Sequence, residues 1–238
     1  MKLNLLIVFF SIVFIFSCNT KNKTDFQKTN VQCVGAMKDV MWKGKLKGSI
    51  LLDTLPNKNG LYGLGPVEYL RGELLIIKGK SYKSTVLTDS TMQVEETFNA
   101  KAPFFVFGNV TNWEEELLPE KISTIRQLES YINDKTKNTS IPFVFKLKGD
   151  IQEAKIHIQN LPKGSKISSP TEAHQGQINY SIKNEVVDIV GFFSTEHKGI
   201  FTHHDTNIHM HLITTNRQKM GHLDKVIFKK GMRLYLPK

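Results

Sequence analysis

The chain is poor in cysteine and in acidic residues, and it lacks internal repeats and low-complexity tracts. Cys18 and Cys33 are its two cysteines among 238 residues, and 22 acidic residues stand against 32 basic ones, for a formal net charge of +10. The absence of a repeat favours a globular architecture over a solenoid. The lysines are scattered, without aromatic interleaving or a nucleic-acid motif. The charge is therefore better explained by a solvated surface near anionic lipid than by nucleic-acid binding.

The first residues are typical of an export signal. Residues 3–16 are almost entirely apolar, a run that is short for a membrane span and suits the core of a signal peptide. The following Cys18 ends a segment that resembles the lipobox of bacterial lipoproteins. We therefore predict a lipoprotein-type signal peptide at residues 1–17, a lipid anchor on Cys18 in the bacterial cell envelope, and a polar tether at residues 18–32; an uncleaved anchor or ordinary secretion are the alternatives. Cys33 then lacks a disulfide partner and is expected to be a buried thiol.

A group of histidines near the end of the sequence is the strongest functional signal. His209 and His211 alternate with apolar residues, so we expect a strand that presents both imidazoles on one face. A polar turn follows, and His222 opens the next apolar segment, which predicts a hairpin that returns His222 to His211. Facing side chains in a hairpin start about 4.5 to 5.5 Å apart, so three imidazoles could share a zinc ion and leave a coordination position open.

Other interpretations of these histidines remain open. A His-x-His pair on a strand is also compatible with two hydrogen-bonded or exposed imidazoles, and a cupin-type metal site would require a glutamate a few residues later, which residues 212–216 lack. His203 and His204 lie in a loop-like stretch. We expect them to be solvent-exposed, and a gating role is the alternative.

Hydrophobic periodicity predicts an α+β fold with large mixed β-sheets in two tightly packed halves and a few helices. A helix capped by Ser123 is expected to end near Asp134. Short helices are expected at residues 34–42 and 49–55. The predicted strands cover residues 73–78 and 82–87 as a hairpin, then 92–98, 104–107, 141–147, 151–158, 178–182, 185–193, the histidine hairpin and 232–236.

Several motifs together resemble those of bacterial alpha-acetolactate decarboxylases. They are Gly63-Leu64-Gly65, Leu70-Arg71-Gly72-Glu73-Leu74, His209-Met210-His211, Gly221-His222-Leu223-Asp224 and Leu234-Tyr235-Leu236-Pro237. The resemblance extends over roughly residues 33–237, so residues 33–238 are expected to form one domain of this type.

The resemblance implies a zinc lyase that converts 2-acetolactate, a small 2-hydroxy-3-oxo acid, to acetoin. It implies that His209, His211 and His222 are the zinc ligands. Glu73 would line the site as the proton donor, although a glutamate that opens a strand is more often solvated. Two departures are evident: His157 stands where the family has an arginine, and the family has a further carboxylate beyond the segment that matches residues 234–237.

These departures leave two hypotheses for function. In the first, Zn²⁺ acts as a Lewis acid toward the substrate oxygens, Glu73 protonates the product, and His157 is the second candidate donor and the replacement for the arginine. In the second, the chain is a lipid-anchored zinc-binding homologue with weak or no catalysis. In either case we expect membrane attachment, no nucleic-acid partner, and possible homodimerisation.

Overall fold

The computed structural model describes residues 30–137 and 141–238. In chain order its strands and helices are β1 (Gln32–Val34), α1 (Met37–Lys43), β2 (Ile50–Leu51), β3 (Leu61–Pro66), β4 (Glu73–Ile77), β5 (Lys80–Val86), β6 (Met92–Glu96), β7 (Lys101–Ala102), β8 (Phe105–Asn109), β9 (Trp113–Leu117), α2 (Ile125–Lys135), β10 (Phe143–Ile158), α3 (Pro170–Ala173), β11 (Ile178–Lys183), β12 (Val186–Phe193), β13 (Ile208–Thr214), β14 (Met220–Phe228) and β15 (Arg233–Pro237). The predicted signal peptide and Cys18 lie outside the described residues. Within the described part of the chain, no helix is long and apolar enough to cross a membrane.

The first half of the chain forms a six-stranded sheet in the order β1-β8-β3-β4-β5-β6. The β4–β5 hairpin predicted from the sequence is confirmed, with Ile77 opposite Lys80. Its turn uses Lys78 and Gly79, whose φ angles are 50° and 77°. Two successive positive φ angles match the twist of a tight hairpin, and glycine adopts the second one without a steric penalty.

The second half forms a seven-stranded sheet around the long strand β10. The N-terminal part of β10 pairs with β12, and its C-terminal part pairs with β14. Because β13 bridges β12 and β14, these four strands close into a ring. The two strands expected at residues 141–147 and 151–158 are thus one strand, which passes through Gly149 at a φ of 155°.

The two sheets pack face to face, as the sequence predicts for two tightly packed halves. One core cluster joins Tyr62, Leu64 and Leu75 of the first sheet to Val190 and Phe192 of the second. The α+β class is confirmed. The pairings between the described strands are antiparallel, whereas mixed sheets are expected from the sequence, because hairpins and loops rather than helical crossovers connect neighbouring strands.

Helix α2 covers the second sheet much as predicted. Its N-cap is Thr124 rather than Ser123. The Thr124 hydroxyl accepts a hydrogen bond from the Gln127 backbone N–H, and the Gln127 side-chain oxygen accepts one from the Thr124 backbone N–H. This reciprocal capping satisfies two amide groups that the first turn leaves unpaired. Leu128 and Ile132 lie on the face of the helix that packs against the second sheet, and both are fully buried.

Two local predictions were wrong. Residues 49–55 form the short strand β2 and a 3₁₀ turn (Leu52–Thr54) instead of a helix, because Ile50 and Leu51 pair with β7. Cys33 is exposed rather than buried. Cys33 lies in β1, the strand at the edge of the first sheet among the described residues. Side chains of a strand alternate between its two faces, and that of Cys33 is on the face that solvent reaches.

Candidate metal centre

Three neighbouring strands of the second sheet bring the histidines together. His211 on β13 lies directly opposite His222 on β14, which confirms the predicted hairpin register. His222 lies opposite His157 on β10. His209 precedes His211 by two positions, so strand alternation places both on the same face. The sequence periodicity and the turn length therefore determine most of this cluster.

The distances between the ring nitrogens suit a single metal ion. The Nε2 atom of His209 is 3.1 Å from the Nδ1 atom of His222. One nitrogen from each of His209, His211 and His222 lies within 4.8 Å of the others. In a tetrahedral zinc site with bonds of about 2.0 to 2.1 Å, two ligand nitrogens lie about 3.3 Å apart. Small adjustments of the rings would therefore place all three on one ion.

The electrostatic state of the histidines also suits a metal. Burial, with neighbouring histidines adding to it, lowers the pKa of His209 and His222 well below the ordinary value. Burial likewise lowers the pKa of His211 to about 3. The three rings are therefore neutral at pH 7 and keep the lone pairs that a cation needs. The buried Nδ1 atoms of His209 and His211 have no hydrogen-bond partner of ordinary geometry.

Glu73 reaches this cluster from the opposite sheet. It opens β4, is 3% exposed, and its Oε2 atom is 3.6 Å from His211 Nε2. Its Oε1 atom accepts the backbone N–H of Gln159 at 3.2 Å. Burial raises the pKa of Glu73 well above the ordinary value; the Asp224 charge adds to this, and the Gln159 N–H opposes it. Glu73 is therefore a buried carboxyl group whose surroundings favour the protonated form, not the solvated glutamate of the alternative interpretation.

A pair formed by His157 and Asp224 extends the cluster. The Nδ1 atom of His157 lies 2.8 and 2.9 Å from the two Asp224 oxygens. Because an ionised carboxylate only accepts hydrogen bonds, Nδ1 carries the hydrogen. The His157 ring centroid is 4.5 Å from that of His222. Sequence reasoning gave Asp224 no role, although its position two residues after His222 on a strand was a signal that both share a face.

The side chains enclose a cavity of about 30 Å³, the histidine chamber. This volume admits roughly two water-sized groups. Its walls are formed by Met37, Met41, Pro66, Leu70, Glu73, Phe104, His157, Gln159, His174, His203, His209 and His222. The expectation that His203 is a solvent-exposed loop residue was therefore wrong, whereas His204 is exposed. His174 was missed, since it lies beyond α3 without a strand or motif to indicate its position.

An outer cavity of about 390 Å³ adjoins the histidine chamber. Met37, Met41, His174 and His203 line both cavities, so these four side chains form the wall between them. Helix α1 supplies both methionines. It is anchored by its first backbone N–H groups, which donate to the carbonyls of residues 199 and 200 at 2.8 Å. The outer cavity therefore approaches the histidine chamber beside α1.

The fold and the site define a class of protein: an antiparallel two-sheet protein with a buried three-histidine centre that faces a carboxylic acid. Catalytic zinc sites commonly have three protein ligands and an open position. The chain belongs to the alpha-acetolactate decarboxylase family, whose family model matches residues 34–235.

Individual relatives agree with this assignment. The chain is 25% identical to the alpha-acetolactate decarboxylase of Lactococcus lactis over 202 residues, which cover 83% of this chain and 78% of the relative. It is 22% identical to that of Streptococcus thermophilus over 203 residues, which cover 84% and 79%.

Solved structures share the fold. The alpha-acetolactate decarboxylase of Bacillus subtilis superposes with a TM-score of 0.72 at 21% identity and covers 87% of this chain and 85% of its own. A Staphylococcus aureus protein of unknown function, described as similar to alpha-acetolactate decarboxylase, also has a TM-score of 0.72, at 16% identity, with 87% and 85% covered.

Proposed function

We propose that the protein is a zinc-dependent decarboxylase that converts 2-acetolactate to acetoin. The observation that supports this most directly is a group of three neutral histidines, with ring nitrogens within 4.8 Å of one another, beside the buried acid Glu73. His209, His211 and His222 would hold the ion. Zinc bound there would supply Lewis acidity toward the ketone and hydroxyl oxygens of the substrate.

Glu73 would supply the proton. When the bond to the carboxylate breaks and carbon dioxide leaves, the electron pair remains on the substrate carbon and must be protonated. Burial raises the pKa of Glu73 well above its ordinary value, which favours the protonated form that a proton donor needs. Its bond from the Gln159 backbone, at 3.2 Å, fixes the side chain between the two sheets. A buried, positioned acid of this kind contributes typically about 10² to 10⁴-fold to a rate.

His157 would orient the substrate carboxylate where the family has an arginine. A histidine can donate one hydrogen bond from Nε2 when its other nitrogen is already engaged, whereas arginine donates two parallel bonds. Asp224 engages Nδ1 and thereby fixes the orientation of the ring. The His157–Asp224 pair would therefore bind the substrate carboxylate more weakly, and from one direction only, than the arginine guanidinium would.

The alternative is a metal-binding homologue with little or no catalysis. Two observations favour it: the single donor of His157, and the chamber of about 30 Å³, which is too small for a five-carbon acid unless its wall moves. The two functions differ in one measurable property, because both require the metal and only one yields acetoin.

The test combines metal analysis with an acetoin assay on the full chain. We expect about one zinc per chain in the wild type and in His204→Ala, whose histidine is exposed, and loss of zinc in His209→Ala. Acetoin formation by the zinc-loaded wild type supports the decarboxylase. Stoichiometric zinc without acetoin supports the metal-binding homologue, and wild-type levels of zinc in folded His209→Ala refute the ligand assignment.

The predicted anchor is part of this proposal. A lipid on Cys18, followed by the tether of residues 18–32, would hold the decarboxylase at the cell envelope. Mass spectrometry of the protein from its native host should find a mature N-terminus at a lipidated Cys18. A different mature N-terminus contradicts the anchor and leaves the metal centre unaffected.

A further inference from the structure

A second large cavity lies on the other side of the turn that carries Leu70. This basic groove has a volume of about 980 Å³ and is lined by residues of three segments, namely residues 44–49, Tyr69 with Arg71, and residues 161–165. Backbone hydrogen bonds connect the segments: the Tyr69 N–H donates to the Leu46 carbonyl at 2.7 Å, and the Leu161 N–H donates to the Leu70 carbonyl at 2.9 Å. The groove is thus a constructed feature of the fold.

The charges that line the groove are of one sign. Lys47, Arg71 and Lys163 are exposed, and none of them forms an ion pair with another described residue. Lys45 also lines the groove but pairs with Asp39 at 2.8 Å. Among the described lining residues there is no aspartate or glutamate. Three cations that lack partners therefore converge on one cavity.

One acid beside the groove, Glu68, is already engaged. The Glu68 Oε2 atom accepts the backbone N–H of Gly48 at 3.0 Å, which holds this carboxylate beside the backbone. The single negative charge of Glu68 therefore offsets only part of the positive field of the three cations. A small anion would gain from the remaining cations without facing a free carboxylate inside the cavity.

The backbone of the central turn is held in an unusual conformation. Tyr69 and Leu70 have φ angles of 61° and 51°, in the left-handed region that bulky residues seldom adopt. Such residues persist only where the surrounding structure fixes them, and they concentrate at ligand-binding and catalytic sites. Here the conformation directs Leu70 to the histidine chamber and leaves Tyr69, 48% exposed, at the groove beside Arg71.

We propose that the basic groove binds a phosphate-bearing anion, with Lys47, Arg71 and Lys163 as its cationic contacts and the Tyr69 hydroxyl as a further donor. The planar guanidinium of Arg71 matches two phosphate oxygens, and the lysines serve as point charges for the rest. A cavity of this volume accommodates a small organic phosphate or a phospholipid headgroup. The site is separate from the metal centre and does not depend on catalysis.

The experiment titrates inorganic phosphate into the full chain in maltoside detergent micelles, which carry no phosphate, with binding measured by calorimetry at constant ionic strength. We expect saturable binding by the wild type. The combined variant Lys47→Gln, Arg71→Gln and Lys163→Gln should bind at least about tenfold more weakly. A matched control, Lys121→Gln, Lys183→Gln and Lys229→Gln, removes the same charge from exposed positions elsewhere and should bind like the wild type.

A second arm identifies the source of the phosphate. If the wild type loses its phosphate binding in nanodiscs that contain phosphatidylglycerol, lipid headgroups occupy the groove; if it retains it, the groove takes a soluble phosphate. Lack of saturable binding in the maltoside micelles, or an equal loss in the control variant, overturns the proposal. If the combined variant does not fold, as judged by its melting temperature, the single variant Arg71→Gln replaces it, with the same tenfold criterion.

Discussion

Replacement of Glu73 by glutamine tests the proposed chemistry most directly. Glutamine has nearly the same shape, and its side-chain oxygen can still accept the Gln159 N–H, a bond of 3.2 Å in the wild type. The exchange removes the ionisable carboxyl group, whose protonated form is favoured by burial. The three histidines that would hold zinc are unchanged, so the variant separates proton donation from metal binding.

The expected loss follows from the role of the residue. General acid catalysis contributes about 10² to 10⁴-fold, so kcat should fall by a factor in this range, or roughly 3 to 5 kcal/mol in activation free energy. The zinc content should remain at the wild-type level. Because glutamine is neutral and its oxygen can still accept the Gln159 N–H, we expect no large loss of stability.

The assay compares acetoin formation with zinc content in the same preparations. Glu68→Gln is the matched control, since Glu68 lies in the same segment, is partly buried, and is not among the residues that line the histidine chamber. It should retain wild-type activity. A Glu73→Gln enzyme with full zinc that keeps more than about a tenth of wild-type kcat would refute the assignment of Glu73 as the proton donor.

Three further predictions concern the wall, the carboxylate grip and pH. Met41→Ala truncates the wall between the two cavities, so a chelator should remove the metal severalfold faster, as followed by a colorimetric zinc indicator; an unchanged rate would exclude entry beside α1. Asp224→Asn replaces the carboxylate that accepts the His157 Nδ1–H with a weaker, neutral acceptor, so steady-state kinetics should show KM for 2-acetolactate rising about tenfold with a smaller change in kcat; an unchanged KM would refute the role of His157 in binding the substrate carboxylate. In the metal-free protein, His211 has a pKa of about 3 in the folded state, whereas a histidine in the unfolded chain has one near 6.5. Between these values the unfolded state binds more protons, so the free energy of unfolding should fall as the pH is lowered from about 6.5 toward 3. Urea titrations that show no such fall would contradict the burial of neutral His211.

The histidine hairpin could be predicted because its determinants are local. Alternation of apolar residues with His209 and His211, followed by a short polar turn, specifies both the face and the register of two adjacent strands. The approach of Glu73 is different. It depends on how one sheet packs on another, and periodicity carries no information about that; only the family motif around Glu73 indicated the site.

Strand β3 shows how long-range packing can hide an element. Its residues Gly63, Gly65 and Pro66 are typical of turns, and we predicted no strand there. In the fold, a Cβ atom on Gly63 would lie 2.6 Å from the Phe105 ring, and one on Gly65 would lie 2.5 Å from the Phe104 carbonyl oxygen. The glycines therefore allow β8 side chains and backbone to approach closely, a requirement that arises only after β3 and β8 have paired.

The division of the site between two sheets has a consequence for function. The three candidate ligands lie on one hairpin of the second sheet, with a register that is set by local pairing, whereas Glu73 is delivered by β4 of the first sheet. The positions of the three candidate ligands are therefore set by the hairpin, whereas the position of the candidate proton donor is set by the contact between the sheets. A change at that contact, for example Leu75→Ala in the core cluster that joins the two sheets, should reduce acetoin formation more than it reduces zinc content. For the same reason a relative can lose catalysis and retain its metal.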